Sequence, residues 1–170
     1  IVGRGNYGEY FSLYATNHFG NRIHMIVQEF GDAAAPMPPS GQWVHVCGTY
    51  DENSLRLYYN GVLVDDVDAP GLLMWGDTPL YIGSLSQTGG FFEGMMENIR
   101  IWEVALSEEE IQELLATPPA EENISEMRQN GLLAYYSTRS ATANSLEDMS
   151  GNGIHATFNG TVPVQEWSLY

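Results

Sequence analysis

Apolar and polar residues alternate along the middle of the chain with the two-residue period of a half-buried β-strand. The alternation covers residues 42–50, 54–59 and 62–67. Asn60 and Gly61 separate the last two segments, and this pair favours a type I′ turn because both central positions of that turn need positive φ. The pattern therefore predicts an antiparallel sheet with a tight hairpin at residues 60–61.

The flanking regions carry the same signal. Residues 7–14 and 22–30 each alternate over about the length of a strand, with turn-forming residues between them, which predicts a further hairpin. Residues 33–40 are rich in Ala and Pro and are expected to form a surface connection. Shorter strands are predicted at residues 80–83 and 95–102.

Helical periodicity replaces the alternation after residue 102. Ser107 and Glu110 have the spacing of a capping box, in which each side chain accepts a hydrogen bond from the other's backbone amide, so a short helix is predicted there. A second short helix is predicted over residues 122–130, closed by Gly131. The remaining predicted segments are a strand at 132–137, a polar loop at 141–153, and closing β segments at 155–158 and 162–167. The chain is thus predicted to be an all-β, two-sheet antiparallel sandwich with one or two short helices near residues 107–130.

Composition limits the classes of partner. The 170 residues suit a single domain, and Cys47 is the only cysteine, so no intrachain disulfide is available. Asp and Glu number 22 against 6 basic residues, all arginine, which gives a net charge of −16. This negative field makes nucleic acid and anionic membrane surfaces poor partners. No apolar run approaches the roughly 18 residues that cross a bilayer, so no membrane insertion is expected.

A family resemblance follows from the order and spacing of these segments. The segments that carry it are WVHV at 43–46, GTYD at 48–51, LYYNG at 57–61, ENIRIW at 97–102, and GLLAYY with SGNG at 131–136 and 150–153. With these segments the chain resembles the laminin G-like jelly roll of the concanavalin A-like lectin and glucanase superfamily, in its non-catalytic branch, over nearly its whole length. It implies a jelly-roll scaffold whose binding residues lie in the loops or on a partner.

The chain departs from its relatives at the start. They begin with strands that carry a Phe-Asp-Gly turn and a tryptophan, and residues 1–170 are expected to form one laminin G-like domain without those first strands. An open sheet edge recruits another strand. We therefore expect the gap to be filled by a preceding segment, by a cleaved piece that remains bound, or by a neighbouring chain in a homo-oligomer.

Carbohydrate recognition needs an exposed aromatic ring with polar groups beside it. Trp75 with Asp77 is the best candidate in this sequence, and Tyr10 is a weaker one. The competing interpretation is that these aromatic residues pack in the core or at its rim. Both interpretations stand at the level of the sequence.

A calcium site is the sharpest metal hypothesis. Calcium prefers carboxylate, amide and backbone carbonyl oxygens, and Glu97, Asp148 and Asn152 supply such groups on segments that the resemblance brings near one another. The resemblance implies a structural calcium ion in some relatives. The alternative is that residues 148–153 form only a tight turn that uses Asn and Gly for positive φ.

The predicted function is a non-enzymatic extracellular or cell-surface module that binds carbohydrate or mediates adhesion. The main alternative is a structural, self-assembling repeat of a surface protein or filament, with the missing strands supplied by another segment or chain. A glucanase-like hydrolase is a third class. Its two carboxylates would alternate along one strand, and Glu93 and Glu97 do not form that pattern because Gly94 separates them.

Overall fold

The computed structural model describes residues 1–4, 10–17, 20–74, 77–84, 89–117, 121–142 and 144–159. The chain divides into two compact units. The first unit comprises Ile1–Gly94 and Ala105–Pro118, and the second comprises Met95–Val104 and Pro119–Tyr170. Whether residues 1–170 form one domain that lacks its first strands stays a prediction.

A five-stranded antiparallel sheet forms one layer of the first unit. Its strands, in spatial order, are β4 (Gly31–Pro36), β3 (Arg22–Val27), β2 (Phe11–Thr16), β1 (Val2–Arg4) and β8 (Leu80–Ile82). The predicted hairpin is confirmed, because β2 and β3 pair from Phe11 opposite Val27 to Thr16 opposite Arg22.

A three-stranded antiparallel sheet forms the second layer. It contains β5 (Val46–Tyr50), β6 (Ser54–Tyr59) and β7 (Val62–Asp68), with β6 in the centre. Asn60 and Gly61 have φ values of 50° and 78°, so the predicted tight turn with two positive φ angles is confirmed. The expected start of β5 at residue 42 is wrong, since the strand begins only at Val46.

The core of the first unit lies between these two sheets. Val27 of β3 and Leu55 and Leu57 of β6 have no exposed surface. They belong to one cluster with other buried residues of both layers, which are Ile23, Met25, Ala33, Ala35 and Ala69. The alternate residues of β3 therefore face the opposite sheet, as the two-residue period requires, and the all-β sandwich is confirmed.

Strand β4 corrects one expectation. Residues 33–40 were expected to form a surface connection, yet residues 31–36 form a strand with Ala33 and Ala35 buried. Ala is depleted in strands, and residues 33–35 are three consecutive alanines, so the sequence shows no apolar–polar alternation here. Ala33 and Ala35 belong to the core cluster, and Gly31 has no room for a side chain, because an added Cβ atom would lie 2.8 Å from Cβ of Ala69.

Helix α1 (Glu108–Ala116) completes the first unit. The capping box is confirmed: Ser107 Oγ accepts a hydrogen bond from the Glu110 amide at 3.2 Å, and the Glu110 carboxylate accepts one from the Ser107 amide at 2.7 Å. Ile111 is buried, and Gln112 Nε2 donates to the Gly61 carbonyl at 3.1 Å. The helix is thereby fixed to the β6–β7 turn.

The described residues of the second unit form one α-helix, a short 3-10 helix at Thr138–Ser140 and two small ladders. Its elements are β9 (Ile99–Trp102) paired with β10 (Leu132–Tyr136), α2 (Glu121–Gln129), and β11 (Ser145–Leu146) paired with β12 (Ala156–Thr157). The predicted second helix is confirmed, and Gly131, with φ of 99°, follows it. The strand predicted over 95–102 begins only at Ile99, and the predicted β segment at 162–167 lies outside the described residues. Across the described residues, no helix is long and apolar enough to cross a membrane.

Candidate functional site

The strand register brings several loops of the first unit to one end of the sandwich, which we call the loop end. Arg4 pairs with both Phe11 and Leu80, so β1 ends where β2 and β8 begin. Val27 pairs with Phe11 and with Gly31, which places the β3–β4 turn at the same end. The loop end is therefore formed by Tyr10, residues 28–30, the β5–β6 turn at 51–53 and the described residues of the connection 69–79.

Tyr10 and Gln28 lie side by side at this end. The Gln28 amide donates a hydrogen bond to the Tyr10 carbonyl at 2.8 Å, and Tyr10 is half-buried. Gln28 has φ of 42°, a left-handed conformation that side chains other than Gly, Asn and Asp seldom adopt. The backbone at the start of β2 is thus held against the β3–β4 turn, and Tyr10 has a defined position.

The Tyr50 side chain holds the connection after β7 in place. Its hydroxyl lies 2.6 Å from the Gly71 carbonyl and 3.0 Å from the Ala69 carbonyl, so its proton can serve either acceptor. Burial, followed by the charges of Glu52 and Asp51, raises the pKa of Tyr50, which keeps the donor protonated. The Ala69 amide donates to the Asn53 carbonyl at 2.7 Å, so the same connection is also tied to the β5–β6 turn.

Exposed apolar side chains stand on this connection. Leu72 and Met74 are 67% and 65% exposed, and Asp77 is also exposed. Arg4 Nε donates to the Thr78 carbonyl at 3.1 Å, which holds the segment that follows Asp77 against β1. Trp75 lies outside the described residues. The structure therefore brings the loops of Tyr10 and Asp77 to one end, an arrangement that places apolar surface beside carboxylates.

The loop end is acidic. All four carboxylates of its described residues are exposed: Glu29, Asp51, Glu52 and Asp77. Arg56 contacts only Asp51 among these four, at 2.8 Å. The hydrogen bond to Arg56 and those from the Ser54 and Asn53 amides hold the pKa of Asp51 below its usual range. An uncharged ligand is favoured here over an anionic one.

The proposed calcium ligands lie in the second unit, where Asp148 is buried. Its carboxylate accepts hydrogen bonds from the backbone amides of Tyr135 (3.0 Å), Ser150 (2.9 Å) and Ile154 (3.0 Å). The Ser150 hydroxyl donates a fourth at 2.8 Å. Burial raises the pKa of Asp148, but these hydrogen bonds outweigh it and the net pKa is lowered. The carboxylate thus organises the turn at 148–154 through protein donors.

Glu97 has a similar environment just beyond the C-terminal end of β10. It accepts a hydrogen bond from Ser137 Oγ at 2.6 Å and lies 3.2 Å from the Thr138 amide. Burial alone raises the pKa of Glu97, and the hydrogen bonds from Ser137 and Thr138 reverse the sign, so its pKa is lowered. The neighbouring Asn98, with φ of 55°, accepts a hydrogen bond from the Tyr135 hydroxyl at 2.8 Å.

Asn152 lies apart from Glu97. Its amide nitrogen donates to the carbonyls of Leu132 and Leu133, whereas Glu97 contacts Thr138, so roughly 16 Å of strand separates their contacts. Within the described residues, no group of three or more His, Cys, Asp and Glu side chains could hold a metal ion. Calcium binding by Glu97, Asp148 and Asn152 therefore stays a prediction.

Sequence reasoning missed the residues that position the loop end. Tyr50 and Gln28 position the loops through hydrogen bonds to backbone carbonyls of segments that are distant in sequence. No local sequence pattern predicts such contacts. Leu72 and Met74 could have been found, because they follow the Pro70-Gly71 break and precede Trp75 in a connection without strand alternation.

These features define an antiparallel β-sandwich with exposed apolar side chains and carboxylates on the loops at one end. A family profile described as the concanavalin A-like lectin/glucanases superfamily matches residues 1–112. The chain belongs to this superfamily. No curated protein sequence matches the chain.

A solved structure shows the same fold. A candidate carbohydrate-binding protein from Bacteroides ovatus ATCC 8483 superposes with a TM-score of 0.71 at 18% sequence identity, over 95% of this chain and 50% of that one. An S-layer domain-containing protein from Clostridium thermocellum ATCC 27405 matches with a TM-score of 0.40 and 25% identity, over 56% of this chain and 51% of that one. The chain thus spans about half the length of either structure.

Proposed function

We propose that this chain is a non-enzymatic carbohydrate-binding module of the cell exterior, and that its loop end holds the sugar. The observation that carries the proposal is the meeting of Tyr10, Asp77 and the exposed Leu72 and Met74 on loops that the strand register brings to one end. Membership of a lectin superfamily and the carbohydrate-binding description of the Bacteroides ovatus protein support the same class of ligand.

The chemistry of the loop end favours neutral sugars. Pyranose rings offer an apolar face and a rim of hydroxyl groups, and the loop end offers apolar side chains beside carboxylate acceptors. Uronic or sialic acids would meet exposed Glu29, Glu52 and Asp77 as well as the charge of −16 on the whole chain. Uncharged hexose polymers are therefore the proposed ligand class.

Binding is preferred over hydrolysis for a physical reason. A glycosidase needs a carboxylic acid whose raised pKa keeps it protonated, and burial is the usual cause of such a rise. The carboxylates of the described loop end are all exposed. The proposal therefore assigns them to hydrogen bonding with sugar hydroxyls. The proposal includes a location outside the cell, because the polysaccharides of cell surfaces contain such sugars.

A glycan array tests the proposal, with and without added calcium. We expect the chain to bind a restricted set of neutral glycans, and Trp75→Ala to weaken binding about tenfold or more, as loss of an aromatic anchor does. Trp43→Ala is the matched control, since Trp43 is 64% exposed and precedes β5, whose other end reaches Tyr50 and the loop end. No neutral glycan signal, or equal losses in the two variants, would refute the proposed site.

A further inference from the structure

Five residues other than glycine have positive φ within the described part of the chain. Three of them are asparagines, which tolerate this conformation because their short polar side chains can hydrogen-bond locally. They are Asn21, Asn60 and Asn98, with φ of 53°, 50° and 55°. The other two carry long side chains, since Gln28 has φ of 42° and Glu52 has φ of 69°. Within this set, backbone strain therefore falls on Gln28 and Glu52.

Both strained residues belong to the loop end. Gln28 directly follows β3, and Glu52 lies in the turn that precedes β6. The asparagines lie elsewhere: Asn21 and Asn60 flank the opposite ends of the same two strands, and Asn98 belongs to the second unit. Strained residues cluster at ligand-binding sites, where the strain holds a side chain in the position that the ligand needs. The strain at the loop end thus points to Gln28 and Glu52.

The two turns are fixed to one residue, Gly71. The Gly71 amide donates a hydrogen bond to the Glu52 carbonyl at 3.0 Å. The Phe30 ring packs against Gly71 so closely that an added Cβ atom would lie 2.5 Å from Cε1 of the ring. Gln28 is held two residues earlier, because its amide donates to the Tyr10 carbonyl at 2.8 Å. Contacts from several segments therefore impose the left-handed conformations, which is how strain persists in a folded protein.

The side chains of the two strained residues are available for a ligand. Within the ranges that the structure describes, no hydrogen bond or ion pair engages the Gln28 carboxamide or the Glu52 carboxylate. Gln28 is half-buried and Glu52 is exposed. Glycine would adopt the same backbone conformation at either position without strain. The turns alone therefore do not require a long side chain at residues 28 and 52.

We infer that Gln28 and Glu52 select the hydroxyl groups of the bound sugar. The inference rests on the proposed function, because it assigns roles within the loop end. A carboxamide donates and accepts hydrogen bonds, and a carboxylate accepts them, so the two side chains match sugar hydroxyls, which can do both. A sugar that lacks one of these hydroxyls leaves its protein partner without a hydrogen bond and binds more weakly. Specificity among neutral hexoses is thus assigned to these two side chains.

Glycine substitutions separate strain from binding. In Gln28→Gly the left-handed strain is relieved, so the melting temperature should equal or exceed that of the unaltered chain. Its affinity for a glycan identified on the array should fall about tenfold or more. The same two results are expected for Glu52→Gly. Asn21→Gly is the matched control, because it makes this change at a positive-φ position on the opposite end of β3 and should leave the affinity unchanged. A lower melting temperature of Gln28→Gly would show that the side chain serves the fold, and would overturn the inference.

Calorimetric titration of Gln28→Met with singly deoxygenated forms of the same glycan locates the contact. Methionine keeps the length of the side chain and removes its hydrogen bonds. At one hydroxyl, the substitution and the missing oxygen should together weaken binding no more than either alone, because both remove the same interaction. Glu52→Met is expected to single out a second hydroxyl. Gln42→Met is the control, since Gln42 is exposed and precedes β5, whose other end reaches the loop end.

The outcomes of this titration distinguish the inference from the proposed function. Additive losses at every hydroxyl, while the unaltered chain binds the glycan, overturn the inference alone. Equal losses in Gln28→Met and Gln42→Met do the same. An unaltered chain without affinity for any neutral glycan overturns the proposed function and the inference together.

Discussion

The carboxylate of Asp65 accepts a hydrogen bond from the backbone amide of Ala34 at 2.8 Å, and so joins the edge strand of one sheet to the edge strand of the other. The side chain stands where a further strand would pair with β4. Tyr59 adds a second link, since its hydroxyl donates to the Ala35 carbonyl at 3.3 Å. One edge of the sandwich is thereby closed by side chains.

Asp65→Ala is expected to lower the free energy of unfolding by about 1–2 kcal/mol, because it leaves the Ala34 amide without its partner. Denaturant unfolding measures the loss, and hydrogen exchange at Ala34 should accelerate. Asp68→Ala is the control on the same strand, since Asp68 is exposed, and we expect a change within about 0.5 kcal/mol. Equal effects of the two substitutions would contradict the assigned role of Asp65.

Tyr50→Phe removes the hydroxyl that holds the connection after β7. We expect weaker sugar binding by about fivefold, equivalent to about 1 kcal/mol, because the loop loses its fixed position. Isothermal titration calorimetry with a glycan identified on the array measures the change. Tyr59→Phe also removes a hydroxyl bonded to a backbone carbonyl, but at Ala35, and should leave the affinity unchanged. Unaltered affinity in Tyr50→Phe would show that the connection after β7 is not part of the binding site.

Asp148→Ala should destabilise the second unit by about 2–4 kcal/mol, because several buried donors lose their acceptor at once. Its exposed neighbour provides the control: Glu147→Ala is expected to change stability by about 0.5 kcal/mol or less. Thermal unfolding with and without calcium measures both. A calcium-dependent rise in the melting temperature that Asp148→Ala abolishes would support the metal prediction, whereas a calcium-independent loss fits the tight turn.

The lowered pKa values of Asp148 and Glu97 predict that the protein loses stability as the pH falls. A carboxylate with a lower pKa in the folded state binds fewer protons there than in the unfolded chain. Its stabilisation is complete above the ordinary values, 3.8 for Asp148 and 4.5 for Glu97, and is lost as the pH falls through the lower folded values. Asp148→Asn should therefore reduce the slope of stability against pH below about pH 4. An unchanged slope in unfolding titrations would contradict this.

Local patterns predicted those parts of the fold that local chemistry determines. The Asn60-Gly61 turn, the capping box of Ser107 and Glu110, and the β2–β3 hairpin depend on residues close in sequence, and all three are confirmed. Strand β4 was missed because its burial comes from small alanines packed against β6 and β7, which gives no hydrophobic alternation.

The candidate site was predicted only in part. Tyr10 and Asp77 were chosen for their residue types, while their placement at one end depends on the pairing of β1 with both β2 and β8. Those pairings join residues far apart in sequence, and no local pattern specifies them. For the same reason the spacing of Glu97 and Asn152 along β10 was not foreseen.

The most direct test of the proposed function is a titration of the isotope-labelled chain with a neutral oligosaccharide, followed by amide chemical shifts. We predict saturable shifts concentrated at Tyr10, at residues 28–30 and along residues 69–79, with residues 46–48 of β5 and the turn at 148–154 unchanged. Shifts confined to the second unit, or no saturable shift with any neutral glycan, would contradict the assignment of sugar binding to the loop end.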